Sequence, residues 1–257
     1  MPFAEVNGIR YHYKVSGQGD PVLLITGLEG AIDFWDDTTE MLKDRFTVIA
    51  VDNRGAGLTE YEGDFTLGDM AEDAAALIEY LDIGPVHVLG WSMGSHIAMM
   101  FAANHPELTR TLTVVSSYKR RPSRSAYILN IIADEYRKGT ISEETAGAVI
   151  NTMVRTEGFF RHMEESGRPI KTADIGEKGS MLQQMKAVNR FDFGDLARRI
   201  DVPVLSVHGL EDIMTPPHFG DELADEIEGC QRLRVPGEGH ILRPKTYIPR
   251  FIEFISS

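Results

Sequence analysis

Between Val86 and Asn104 an apolar strand-type run, Val86-His87-Val88-Leu89, passes straight into Gly90-Trp91-Ser92-Met93-Gly94, and a helix-type segment from Ile97 to Asn104 follows at once. A strand that gives way to a helix so abruptly forces its turn residue into strained backbone angles, and small residues two before and two after it keep neighbours from colliding. Ser92 then projects its hydroxyl above the edge of a sheet. The pentapeptide alone is common by chance, so its context carries the reading: a sheet with helices packed on it, and Ser92 as a candidate nucleophile.

The rest of the chain agrees with such a sheet. Val6-Asn7-Gly8-Ile9 reads as a two-residue hairpin turn, with Arg10 to Val15 as the second strand. Val22 to Thr26 and Phe46 to Val51 are apolar without alternation, as strands covered on both faces are, and a helical stretch around Thr38 to Lys43 lies between them. Thr66 stands three residues before Asp69 as an N-cap, and Met70, Ala74, Leu77, Ile78 and Leu81 follow at helical spacing, ending near Asp82-Ile83-Gly84. Val86 to Leu89 and Thr111 to Val115 complete a strict strand-helix alternation, which calls for parallel pairing with right-handed crossovers.

The rhythm breaks between about Ser117 and Asp192, where amphipathic pieces succeed one another without a strand. We read residues 117–191 as an all-helical cap on a core formed by 1–116 and 192–257. The alternation resumes with the strand Val204 to His208, a helix from about His218 to Ile227, the strand Gln231 to Val235 and a last helix around Tyr247 to Ile255.

Each resumed strand ends in a loop with a titratable group. Gly209-Leu210-Glu211-Asp212 follows one, and Pro236-Gly237-Glu238-Gly239-His240 follows the other. Open parallel sheets gather their sites at these carboxyl ends. A serine hydroxyl is a weak nucleophile until an imidazole takes its proton, and the imidazole needs a carboxylate to hold its tautomer and stabilise its charged form. Ser92, Asp212 and His240 meet that requirement in this chain order, with Glu211 as the competing acid.

With these residues in view, the chain resembles the α/β-hydrolase superfamily over nearly its whole length, as a serine-nucleophile member with a helical cap. Gly90-Trp91-Ser92-Met93-Gly94, Gly209-x-x-Asp212, Gly237-x-Gly239-His240 and the Asp52-Asn53-Arg54-Gly55-Ala56-Gly57 turn carry the likeness. It implies a mostly parallel eight-stranded sheet flanked by helices, and enzymes such as carboxylesterases, enol-lactonases and cofactor-free haloperoxidases. It further implies an oxyanion hole built from the backbone N–H groups of Leu28 and Met93, each worth about 3 kcal/mol of transition-state stabilisation. Three departures stand out. Thr26-Gly27 replaces the His-Gly of many relatives, Glu29 lies in the same loop and disfavours anionic substrates if it faces the pocket, and Ser95 occupies a position where relatives often have glycine. A serine nucleophile argues against dehalogenase and epoxide hydrolase chemistry, which uses aspartate on this fold.

The expected activity is hydrolysis of a small or medium ester, thioester or lactone. Carbon–carbon bond hydrolysis of a diketone-like substrate, or perhydrolysis of the haloperoxidase type, remains open on the same three residues, as does a non-catalytic binding protein on this scaffold. No cofactor and no metal is expected, since histidines and acids do not cluster at ligand spacing. A net charge of −13, from 26 basic and 39 acidic residues, repels nucleic acid. The single cysteine, Cys230, excludes an internal disulfide, and the N-terminal segment lacks the pattern of a signal peptide. A cytoplasmic protein without membrane association, monomeric or homodimeric, is the expectation. Trp91 is a candidate for the pocket wall, and His87, His96 and His208 read as structural. The basic run Lys119-Arg120-Arg121 with Arg124 reads as a solvated hinge, with anion recognition as the sharper alternative.

Overall fold

Asn7 and Gly8 both take positive φ, 48° and 75°, the turn geometry whose twist matches two flanking strands. They join β1 (Phe3–Val6) to β2 (Ile9–Gly17) in an antiparallel hairpin. This computed structural model describes residues 2–170 and 178–257. The chain continues through β3 (Asp20–Ile25), α1 (Asp36–Leu42), β4 (Phe46–Val51), α2 (Leu67–Leu81), β5 (Val86–Trp91), α3 (Met93–Asn104) and β6 (Thr109–Val115). Then come α4 (Ser123–Lys138), α5 (Glu143–Val154), α6 (Glu157–Ser166) and α7 (Lys178–Arg190), with no strand among the described residues of that stretch. β7 (Val204–Gly209), α8 (Pro217–Ala224), β8 (Gln231–Val235) and α9 (Pro244–Ile255) close the chain.

Among the described residues eight strands form one sheet, in the order β1-β2-β4-β3-β5-β6-β7-β8. Only β1 with β2 and β2 with β4 run antiparallel; the remaining pairings are parallel. This is an α/β-hydrolase fold. Its unbroken apolar strands have a physical reason. Leu23, Ile25, Ile49 and Val88 bury on the face covered by α2 and α3, while Val22, Leu24, Val48 and Leu89 bury on the face covered by α1 and α9. Alternate side chains point to opposite faces, and both faces are dry.

Helix α2 starts at a reciprocal cap: Asp69 N–H donates to Thr66 Oγ1 at 3.2 Å and Thr66 N–H donates to Asp69 Oδ2 at 2.7 Å. Helix α9 starts at Pro244, earlier than the apolar periodicity indicates, because a proline in the first turn needs no N–H partner and already has helical φ. Helices α4, α5 and α7 share a small core of their own around Ile132, Tyr136, Ala146, Met181 and Met185. Among the described residues no helix is long and apolar enough to cross a membrane.

Candidate active site

Ser92 is the residue between β5 and α3, and its backbone sits at φ 55° and ψ −121°, a strained conformation for a residue with a side chain. The two glycines around it are required by contact. A Cβ on Gly90 would lie 2.3 Å from the Gly94 carbonyl oxygen, and one on Gly94 would lie 2.2 Å from the Ile25 carbonyl oxygen. Ser92 N–H donates to Val115 O at 2.9 Å, tying the turn to β6. Ser95 strengthens the same tie. Its buried hydroxyl lies 2.7 Å from Gly90 O and 2.9 Å from Val115 O, which explains a serine at that position.

Three loop residues converge at this turn. His240 Nε2 stands 2.9 Å from Ser92 Oγ, and His240 Nδ1 stands 2.9 Å from Asp212 Oδ2. The network assigns the tautomer: Nδ1–H donates to the carboxylate, leaving Nε2 to accept from the serine hydroxyl. Glu211, the competing acid, is exposed, whereas Asp212 is buried. The loops of Asp212 and His240 are fastened to each other by Glu211 N–H donating to Glu238 O at 2.9 Å and Leu210 N–H to Val235 O at 3.0 Å. The His240 carbonyl accepts from Trp91 Nε1 and from Ser116 Oγ, both at 2.8 Å, so the imidazole is held from its backbone as well as its ring.

Asp212 is under opposing influences. Burial alone raises its pKa, but the charges and hydrogen bonds of His240 and His208 outweigh it and hold the carboxyl well below the usual carboxylate range. Thr215 completes its shell, donating to Oδ2 from the hydroxyl at 2.7 Å and to Oδ1 from the backbone N–H at 2.8 Å. Asp212 is therefore ionised and fixed. Such a line of serine, imidazole and carboxylate can move a proton off the hydroxyl and return it to a leaving group.

The loop after β3 runs along the other side of Ser92. A Cβ on Gly27 would lie 3.0 Å from Ser92 Cβ and 2.9 Å from the Trp91 ring, so only glycine allows the approach. Thr26 supplies the bracing that the missing histidine would provide: its hydroxyl donates to Gly30 O at 2.7 Å, while Asn53 Nδ2 donates to Thr26 O at 2.9 Å. Leu28 and Met93 both border the cavity beside Ser92, and Met93 is the first residue of α3, where a helix provides its N–H with no internal partner.

The family described as the alpha/beta hydrolase fold matches residues 20–243 of the sequence. The chain belongs to the α/β-hydrolase family. It is similar to a Mycobacterium tuberculosis protein bearing the name non-heme bromoperoxidase BpoC, at 29% identity over 97% of this chain and 98% of that protein. It is also similar to a pimeloyl-[acyl-carrier protein] methyl ester esterase of Neisseria meningitidis, at 27% identity over 85% of this chain and 70% of the esterase. The crystal structure of the enol-lactonase from Burkholderia xenovorans LB400 shares the fold, with a TM-score of 0.88, 22% identity and full coverage of both chains. The protein is thus a hydrolase of the α/β fold.

In this hydrolase Ser92 and His240 open into a cavity of about 330 Å³ between the sheet edge and α4, α5 and α7. Its wall is mostly apolar. Trp91 and Glu29 both border it, and Trp91 stacks on Phe34 with ring centroids 4.3 Å apart. Met181 and Met185 from α7 border it too, and both belong to the small core shared with α4 and α5. Arg121 and Arg155 are the cationic side chains on the wall, and burial lowers the pKa of each.

The other members of the basic run lie elsewhere: Lys119 pairs with Glu226, Arg120 Nε with Glu222 at 3.0 Å, and Arg124 donates to Ile213 O at 3.0 Å. His87 binds Thr111 Oγ1 at 2.9 Å within the sheet. His96 is enclosed by Tyr118, Phe191 and Phe193. Burial drives its pKa down to about 3, against a hydrogen bond from its Nε2 to the Tyr118 carbonyl that raises it.

Four residues support the site without being among the site candidates read from the sequence. Thr215 and Ser116 act through the contacts above, and His208 Nε2 lies 3.3 Å from Asp212 Oδ2 and 2.6 Å from Thr215 O. Gln184 of α7 is fully buried; it accepts from Glu29 N–H and donates to Arg54 O, each at 2.8 Å. That side chain fastens the helical segment to the loop of Leu28. Only Thr215 could have been found, since a threonine three residues after an aspartate is placed to return hydrogen bonds to it.

Proposed function

We propose that this hydrolase cleaves a small or medium carboxylic ester, thioester or lactone through an acyl-enzyme on Ser92. The observation that carries the reading is the continuous hydrogen-bonded line Ser92–His240–Asp212, 2.9 Å at each step, ending on a serine in strained turn geometry at a largely apolar cavity. His240 takes the Ser92 proton as Oγ attacks the carbonyl carbon, and Asp212 stabilises the imidazolium that forms. The tetrahedral oxyanion is received by the N–H groups of Leu28 and Met93. His240 then gives its proton to the departing alcohol, thiol or ring oxygen. Water, deprotonated by the same imidazole, attacks the acyl carbon and releases the acid and Ser92. Helices α4 to α7 act as a cap that shapes the acyl site; residues 171–177 of the expected cap 117–191 lie outside the described residues.

The esterase name of the Neisseria meningitidis relative supports an ester substrate. Rapid mixing with 4-nitrophenyl acetate and butyrate tests the acyl-enzyme directly. A burst of nitrophenol approaching one equivalent per chain, or an acyl adduct of one equivalent seen by intact mass, is expected; turnover that persists in Ser92→Ala would refute it.

The name of the Mycobacterium tuberculosis relative supports a second reading, perhydrolysis, in which hydrogen peroxide replaces water against the acyl-enzyme and yields a peracid. Bromination of a diketone dye precursor that requires acetate, peroxide and bromide together, and is lost in Ser92→Ala, is the expected mark of that activity.

A further inference from the structure

Two cationic side chains on the cavity wall lack the counter-charge that their neighbours have. Arg121 and Arg155 border the cavity that holds Ser92 and His240, and among the described residues neither forms an ion pair. Arg121 Nη2 and Arg155 Nε are buried with no hydrogen-bond partner. Arg155 has the Phe159 ring 4.7 Å away, a face that attracts a cation but takes no hydrogen bond from the in-plane N–H groups. By contrast Lys119 and Arg120, in the same run as Arg121, are each matched by a glutamate of the core.

Both residues border the same cavity as Ser92 and His240. Ile241 N–H donates to Val154 O at 3.2 Å, so Arg155 follows a residue bonded to the loop of His240. Arg121 comes three residues after Tyr118, another wall residue, at the foot of α4. Glu29 is the one carboxylate among the described residues of the wall, so the guanidinium groups outnumber it. Both residues are half-buried, and a cation partly withdrawn from water without a partner carries a cost that is recovered when an anion arrives. A guanidinium presents N–H groups in a planar fork that matches a carboxylate. The apolar remainder of the wall lowers the local dielectric and strengthens that pairing.

We infer that the substrate of this hydrolase carries a carboxylate set apart from its scissile carbonyl, and that Arg121 and Arg155 receive it. The inference rests on the acyl-enzyme reading of Ser92. It also reverses the consequence drawn from Glu29 in the sequence: the cavity favours a monoanion although one acid faces it and the chain as a whole is acidic. Such local focusing against the net charge is physically ordinary in a cleft with low-dielectric walls.

The test uses two matched pairs of esters. Mono-(4-nitrophenyl) adipate against 4-nitrophenyl hexanoate places the charge on the acyl side; 3-acetoxybenzoate against phenyl acetate places it on the alcohol side. In one pair or the other, kcat/KM for the charged ester is expected to exceed that of its neutral partner by about tenfold. Raising the NaCl concentration reduces the preference, and Arg121→Gln or Arg155→Gln brings the ratio close to one. The corresponding lysine variants, which keep the charge but lose the fork, retain an intermediate ratio. No preference in either pair, or a preference that survives both glutamine variants, overturns the inference. Labelling of Ser92 by a fluorophosphonate in the same preparations separates the two failures. A labelled serine without charge preference removes the carboxylate site alone, whereas an unlabelled serine removes the acyl-enzyme and this inference with it.

Discussion

Replacing Gln184 by leucine keeps the volume of a fully buried side chain and removes two hydrogen bonds, one from Glu29 N–H and one to Arg54 O. Each abandoned group costs about 1–3 kcal/mol when buried, and both are part-buried here, so about 2 kcal/mol in total is the reasonable figure. For a chain of this length that corresponds to a fall in Tm of about 4–8 °C.

The consequence for activity runs through Glu29, which is held at φ 56°, strained for a residue with a side chain. Once its N–H loses Gln184, the loop relaxes and the adjacent Leu28 N–H, the proposed oxyanion donor, is expected to drift from its position. One such donor is worth up to about 3 kcal/mol, so kcat is expected to fall about 10- to 100-fold. KM should stay within about threefold, because that donor acts on charge present only in the transition state. Calorimetry and steady-state ester hydrolysis on the same preparation give both numbers. A lowered Tm with unchanged kcat would refute the positioning role, and an unchanged Tm would refute the hydrogen bonds.

Three further outcomes are expected. Asp212→Asn should lower kcat by about four orders of magnitude through loss of the correct histidine tautomer, while Glu211→Gln should change it little; the reverse order in a kinetic comparison would reassign the acid. His96 has a folded pKa of about 3 against an ordinary value of 6.5, so its contribution to stability is full above pH 6.5 and is lost as the pH falls toward 3; at pH 5 the loss amounts to about 2 kcal/mol. The fall in Tm from pH 7.5 to pH 5 should therefore be smaller in His96→Gln than in the wild type, and equal slopes would refute burial of a neutral imidazole. Gly209→Ala places a Cβ 2.3 Å from the carbonyl oxygens of Glu238 and Gly239, forcing the acid loop away from the histidine loop, with a cost of about 1–3 kcal/mol in denaturant unfolding and a loss of activity.

Strands buried on both faces and a turn that demands small residues are local properties, which is why Val22, Val48 and Val88 disclosed a covered sheet and Gly90 and Gly94 disclosed the turn at Ser92. The order of Asp212 and His240 after resumed strands is likewise local. Gln184 is different, because its role exists only through contact with Glu29 and Arg54, 155 and 130 positions away. Ser116 depends in the same way on the His240 carbonyl. Arg120 and Arg121 are equivalent as letters in a basic run, and only the path of the chain beyond β6 turns one to Glu222 and the other to the cavity. Pro244 marked the start of α9, a signal of turn chemistry that apolar spacing passes over.

Ser92 as the nucleophile is the central claim, and covalent labelling tests it most directly. Intact-mass analysis after incubation with a fluorophosphonate is expected to show one adduct per chain, mapped by peptide sequencing to Ser92, absent in Ser92→Ala and formed slowly in His240→Ala. A wild-type protein that stays unlabelled, or an adduct that persists in Ser92→Ala, would contradict it.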